Sequence, residues 1–468
     1  MRRKTMSVFA SQGWLVLRTR VARVLRWALL GALALLLALK GGTPWGTSEF
    51  VLISFALVLS FSSIEPPRND QVRLFQMRAL IFWGLLLAYV AAQAISFPAV
   101  PNPIWSVAEE ALGISLSGSI AVSPGQIIWA SVRLTLPYVA FLASLTLFQF
   151  EKDIERLWIG LLGISTLFAL YGISQLLLFP DWLLIDEKLY YRQWLTSTLV
   201  NRNSAATLLG LGFIVTLCLI RWTVRSTRAR QNREGSVLEV GGVVLSKMLL
   251  FLLFAGTVQL LALGLTASRG GLLATVLAVI VAVVLLDFRL LRGRIRNRVV
   301  TFAVLGGLML LALEVFAGKT LYRLETTESD GRLCAFQSTW EAALANLPFG
   351  TGLGSFQDVF PGYRDPVCGI TGIWDKAHNS YLENFLELGL PYVLFLSVGC
   401  FFVFRALRQG YKTRGEYRPF VVGGIASTVL VAVHALVDFS LQIPAVACFY
   451  ALLLASSVTT SLGRSRNR

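Results

Sequence analysis

Apolar runs of about twenty residues recur along most of this chain, and that length matches the hydrocarbon core of a bilayer. Backbone groups in lipid must bond within their own segment, so such runs are helices. A membrane β-barrel would instead need ten-residue alternating segments, and none is present. Hydrophobic residues make up 55% and charged residues 15% of the 468 positions. The expected fold is therefore all-α, a polytopic integral membrane protein with about twelve transmembrane helices. Spans are expected near 27–40, 49–64, 79–97, 126–149, 155–178, 203–222, 247–267, 270–287, 299–317, 380–404, 419–437 and 444–460.

The formal net charge of +16 sits largely in short connectors. Arg68 and Arg73, Lys152 and Arg156, Arg225 to Arg233, Arg289 to Arg298, and Arg405 to Arg418 mark every second connector, and those between are poor in Lys and Arg. That alternation is an orientation signal, which accounts for the charge better than a nucleic-acid surface does, so no nucleic-acid partner is expected. Residues 1–26 form a basic cytoplasmic segment with no convincing cleavage site after the first run, so that run reads as an uncleaved helix. Helices one to five with their outer loops occupy 27–199, a second transmembrane region 200–460, and a cytoplasmic tail 461–468. Both termini are then cytoplasmic, membrane lipids are the surroundings, and a bacterial inner membrane with an active periplasmic face is expected. The one long periplasmic loop, 318–379, is where such a scaffold would carry function.

Cys218, Cys400 and Cys448 fall in expected spans as small apolar filler. Cys334 and Cys368 both lie in the long loop. In an oxidising compartment they would pair, stabilising the loop by roughly 3–4 kcal/mol on the loop-entropy model. The alternative is two free thiols too far apart to bond.

Several polar residues gather at expected outer helix ends. Asn201-Arg202-Asn203 and Ser268-Arg269-Gly270-Gly271 each place an arginine beside small polar residues. A guanidinium near hydrocarbon is costly, and its forked donors suit phosphate oxygens. Each alone could be a snorkelling anchor; two together point to a shared anion site. Gly270 and Gly271 would permit a sharp turn and close ligand approach. Arg133 lies inside the fourth span, as a functional residue or a structural partner of a buried acid or carbonyl. His378 precedes the tenth span, where Ser380 and Glu383 have capping-box spacing. A helix N-terminus and nearby arginines would keep its imidazole neutral, which suits a general base; the plainer reading is an interfacial hydrogen-bonding histidine. His434 and Asp438, four apart, would share a cavity, and Asn379 stands between His378 and the cap. No cluster of three or four convergent ligands is visible, so no metal and no cofactor is expected. The Gly350-Thr351-Gly352-Leu353-Gly354 run follows no strand and reads as a flexible turn over the membrane face.

In this order, the NRN segment, SRGG, the arginine-led start of the long loop at Arg332, Pro-Phe-Gly-Thr-Gly at 348–352, Ala-His-Asn-Ser-Tyr-Leu-Glu at 377–383 and His434 to Asp438 with Pro444 resemble the O-antigen ligase and polymerase family of bacterial envelope glycosyltransferases. The resemblance spans roughly 200–445. It implies metal-independent transfer of a glycan from an undecaprenyl-diphosphate carrier, either to another glycan repeat of an O-antigen or exopolysaccharide, or to lipid A-core. It implies that Arg269 and Arg332, with Arg202 as a third candidate, bind the diphosphate, and that His378 deprotonates the acceptor hydroxyl. A chain-length regulator is a further candidate partner. Ligase and polymerase differ in acceptor rather than in motif, with a slight lean to polymerase from the tryptophan-bearing segment before His378. Two other readings stand beside this one. A multi-pass transporter of a small anionic solute would be expected to carry mid-membrane sites in related halves, and the notable residues here sit toward one face. A non-catalytic assembly scaffold would tolerate loss of His378 and Arg269.

Overall fold

In a computed structural model, residues 2–286 and 328–463 are described, apart from 45, 63–66, 68, 97–99, 185, 235–238, 241, 242, 245 and 369–371. The described residues form fourteen α-helices. These are α1 (Arg2–Ala38), α2 (Thr47–Ser62), α3 (Asp70–Ala94), α4 (Ile104–Leu112), α5 (Pro124–Leu147), α6 (Glu151–Leu178) and α7 (Arg202–Glu234). They continue as α8 (Lys247–Leu265), α9 (Arg269–Leu286), α10 (Glu328–Ala345), α11 (Phe356–Tyr363), α12 (Ser380–Thr413), α13 (Arg418–His434) and α14 (Pro444–Leu462). Two antiparallel pairs of two residues each, Trp182–Leu183 with Asp186–Glu187 and Glu239–Val240 with Val243–Val244, are the only strands among them.

The chain is an all-α, multi-pass membrane protein. Nine described helices are long and apolar enough to cross a bilayer, and α2 and α13 are shorter apolar helices. The span expected at 299–317 lies outside the described residues, as does the start of the long loop at 318–327. Helices α7 and α14 are the most enclosed, and Leu208, Leu211, Ile214, Phe449 and Leu452 are buried at the centre of the bundle. A satisfied polar cluster sits inside it, where Thr216 donates to Gln259 (2.7 Å) and Gln259 donates to Ser165 (3.0 Å). Without water, such groups must pair with one another.

The described part of the long loop, from Glu328 onward, is built around helices. Helices α10 and α11 bury Ala335, Ala342, Phe356 and Phe360 against Ala377 and Leu386, a small core of their own. A disulfide joins Cys334 to Cys368, with Cα atoms 6.2 Å apart. The connector before α5 likewise holds a helix, α4, and Asn102 just before it donates to Asn346 at the end of α10 (2.8 Å).

The break in α12 shapes this end of the molecule. Gly389 adopts φ 61°, ψ −149°, two residues before Pro391. The helix therefore loses several internal bonds, and the carbonyls they release must be met elsewhere. The Pro348–Gly352 turn meets them. Thr351 N–H donates to Leu386 (3.0 Å), Gly352 N–H to Glu387 (3.0 Å), and Leu390 N–H to the Pro348 carbonyl (2.9 Å). From α3, Tyr89 donates to the carbonyls of Phe349 (2.6 Å) and Leu388 (2.9 Å), and Gln93 donates to those of Phe349 and Glu387 (both 2.9 Å). The glycine-rich segment, expected as a flexible turn, is thus a largely buried segment bonded to the broken helix and to α3. The reason is the broken helix, which offers it carbonyls to bond.

A side chain at Gly389 would place Cβ 2.2 Å from the Pro348 oxygen, in a region of φ/ψ nearly confined to glycine. Gly389→Ala is expected to destabilise the fold by at least about 2 kcal/mol. Thermal melting of the purified protein checks this against Gly84→Ala in α3, where an added Cβ meets nothing within 4 Å and melting should not fall. Equal melting of the two variants would contradict the assignment.

Candidate active site

Asp438 has no exposed surface. It lies in the turn after α13; the starts of α7 and α12 bond to it, and that of α9 joins through Asn203. Asn203, the second residue of α7, donates its amide to Asp438 Oδ1 (3.0 Å). Ser440 donates its hydroxyl to Oδ2 of the same carboxylate. Ser380, the first residue of α12, donates to the Asp438 carbonyl (3.0 Å), and its N–H donates to the Ala435 carbonyl (2.9 Å). Ser268 caps α9, accepting from the Gly271 N–H (3.3 Å) while donating to Asn203 Oδ1 (2.8 Å). One hydrogen-bonded set thereby ties the NRN, SRGG, Ala-His-Asn-Ser and His434–Asp438 segments together.

The two arginines of the expected anion site stand at the first residues of α7 and α9. A cation at a helix N-terminus is opposed by the helix dipole, so their placement costs stability. An anion there is favoured both by the open N–H groups and by the guanidinium groups. Arg202 lies over the rings of Tyr191 (5.5 Å) and Trp194 (5.6 Å), so the aromatics of the 179–201 connector serve to hold it. That connector is itself anchored by the buried Lys188, which donates to the Trp194 carbonyl (2.8 Å). Arg269 is exposed.

The glycines after Arg269 have a different role from the expected one. Both lie inside α9, and the residue with left-handed backbone in this turn is Ala267 (φ 51°). A Cβ at Gly270 would approach the His434 ring to 3.1 Å, and one at Gly271 would stand 2.5 Å from Ala206 Cβ. The glycines let three helices pack closely, α9 against α7 and α13. His434 is buried in that packing, and its Nδ1 shares a hydrogen bond with the Thr207 hydroxyl (2.6 Å).

His378 lies just before α12, with left-handed backbone (φ 54°). The cap of α12 is Asn379 rather than Ser380. Its side chain accepts from the N–H groups of Tyr381 (3.0 Å) and Leu382 (3.1 Å). Glu383 does not close the expected capping box with Ser380. It reaches further back, accepting from the Ala377 N–H (2.8 Å) and from Lys376 Nζ (3.3 Å). Burial works against the Lys376 ammonium, but Glu383 and Glu387 outweigh it and its pKa is raised. Residues 376 and 377 are thus clamped to the helix, and His378 follows them into its strained turn. Its ring stands edge-on between Trp374 (5.7 Å) and Phe439 (5.0 Å). Nδ1 is buried and meets no hydrogen-bond partner among the described residues. The imidazole pKa lies below the usual histidine value, first because of burial and then because of the Arg332 guanidinium. Asp438, Asp375 and Glu383 pull the other way without prevailing.

Arg332, on α10, therefore lies within electrostatic reach of His378, carried there by the small core beneath α10. Arg133, on α5, is exposed and takes no part in the bonds that join these segments.

Residues 250–397 match a family model described as O-Antigen ligase. Over that stretch the chain is similar to the O-antigen ligase family. The matched stretch runs from α8 to the first half of α12 and holds Arg269, Arg332 and His378. Arg202, Asn203, His434 and Asp438 lie outside it, yet Asn203 and Asp438 bond directly to its residues. No curated protein matches the chain. That similarity supports glycan transfer in O-antigen or polysaccharide assembly, with a glycan donor and an acceptor as substrates in general.

Tyr89, Gln93, Thr207 and Ser440 were not singled out in the sequence. Tyr89 and Gln93 hold the break in α12, and Thr207 bonds His434. The signal for the first two was present, a tyrosine and a glutamine four apart in an apolar span, where polar groups need partners.

Asn203→Ala removes one of the two side-chain donors to the buried Asp438 carboxylate and also strands Ser268. It is expected to cost about 3 kcal/mol, read as a fall in melting temperature. An unchanged melting temperature would show that the Asp438 hub does not hold these helices together.

Proposed function

We propose that this chain transfers a glycan from an undecaprenyl-diphosphate carrier to an acceptor hydroxyl at the periplasmic face of a bacterial inner membrane. The observation that carries the reading is the Asp438 hub. Through it, arginine-bearing starts of α7 and α9 share one end of the bundle with the turn that holds His378. In the reaction, His378 accepts the proton of the acceptor hydroxyl. The freed oxygen attacks the anomeric carbon, and the bond from that carbon to the diphosphate oxygen breaks. The leaving diphosphate gains negative charge, which Arg269 and Arg332, assisted by Arg202, stabilise from fixed positions. The reading assigns that charge to guanidinium groups rather than to a metal ion. The carrier tail stays in lipid while its head reaches the rim.

The depressed pKa of His378 suits this role. Above the ordinary histidine value near 6.5, the ring is neutral and can take a proton. Because its own pKa is lower, it stays neutral as pH falls through that value, and transfer should fail only at lower pH. Removing the Arg332 charge raises the His378 pKa, so Arg332→Gln should move the acid limb of the pH–rate profile upward. An acid limb that stays put in Arg332→Gln would contradict the assigned electrostatics.

His378→Gln should lower transfer by about 10²- to 10⁴-fold, measured with purified protein and a lipid-diphosphate glycan. Arg269→Ala should lower it by roughly tenfold to a hundredfold, the range expected for one charge-assisted contact. Full activity in both variants would sink the reading. A ladder of longer glycans as product indicates a polymerase; a single transfer to lipid A-core indicates a ligase.

A further inference from the structure

At the end of the bundle opposite Asp438, three arginines surround a cavity of about 310 Å³, lined by Arg23, Arg26, Trp27, Leu30, Phe148 and Arg156. The two ends are separated along α1. Lys40, just past α1, pairs with Asp186 (2.8 Å) in the connector that holds Arg202, whereas Arg26 lies twelve residues before Ala38, about 18 Å away along the axis. We propose that this cavity binds the phosphate headgroup of an anionic phospholipid.

The charge balance carries the argument. Asp153 is buried and is bonded by both Arg26 (2.8 Å) and Arg156 (3.1 Å). Arg26 also donates to the Leu147 carbonyl (2.8 Å), the last residue of α5. Asp153 meets Arg26 and Arg156 but not Arg23, so the lining carries more guanidinium groups than that carboxylate can match. Excess guanidinium charge beside hydrocarbon calls for an anion, and forked donors suit phosphate oxygens. The opposite wall is apolar, with Leu30 and Phe148 buried. Trp27, 63% exposed, stands at the edge as interfacial aromatics do. Basic charge over an apolar wall at a membrane end matches a lipid headgroup with its acyl chains below. A soluble phosphate would use the charge and leave the apolar wall without purpose.

Native mass spectrometry of the full chain tests this with phosphatidylglycerol, phosphatidylcholine and inorganic phosphate as probes. Wild type should retain phosphatidylglycerol over phosphatidylcholine by roughly tenfold or more, and R23Q/R156Q should lose most of that preference. The Arg26–Asp153 pair remains in that variant. If it melts below wild type, R23Q alone, which touches neither bond to Asp153, should lose about fivefold. R405Q/R408Q, at the same end on α12, should keep the preference. Equal retention of the two lipids by wild type would overturn the proposal. So would a preference that survives R23Q/R156Q, one lost equally in R405Q/R408Q, or displacement of the lipid by inorganic phosphate.

Discussion

A single carboxylate buried without exposed surface organises one end of this molecule. Removing Asp438 from water costs several kcal/mol unless dipoles replace the lost hydration. The dipoles come from Asn203 and Ser440, and the neighbouring backbone binds Ser380. Each donor belongs to a different part of the chain, so meeting the needs of one charge fixes where α7, α12 and the turn after α13 must meet. Ser268 adds α9 through Asn203. Arg202, Arg269 and His378 each stand within two residues of a member of this set, which brings their segments to the same end of the bundle.

The second constraint is the interruption of α12. A continuous helix would need no partner for its carbonyls, and the Pro348–Gly354 segment would lose its bonds to α12. The break at Gly389 creates acceptors that draw in that segment and the end of α3. This anchors the loop carrying α10, and with α10 comes Arg332. Stapled by Cys334–Cys368 and clamped through Glu383, the loop is a built wall of the site.

The membrane helices were legible because their length and apolarity answer directly to the bilayer. The rim was legible in part. Arg269, Arg332 and His378 could be proposed because charge and imidazole are conspicuous in so apolar a chain. The roles of their neighbours were less visible, because these depend on contacts far apart in sequence. Gly270 and Gly271 read as turn residues, but their reason is the His434 ring and Ala206, which no local pattern predicts. The capping assignment moved by one residue, to Asn379, because Ser380 is drawn away by Asp438. The break at Gly389–Leu390–Pro391 was written in the segment itself, yet its partners Tyr89 and Gln93 lie some three hundred residues away.

The central claim is that binding of the diphosphate and acceptance of the proton are separate tasks of one rim. It is tested most directly by measuring the affinity of a polyprenyl diphosphate for wild type, for His378→Gln and for Arg269→Ala/Arg332→Ala. The account predicts that His378→Gln keeps wild-type affinity while it no longer transfers glycan, and that the double arginine variant loses affinity. Unchanged affinity in the arginine variant, with the protein folded, would contradict it.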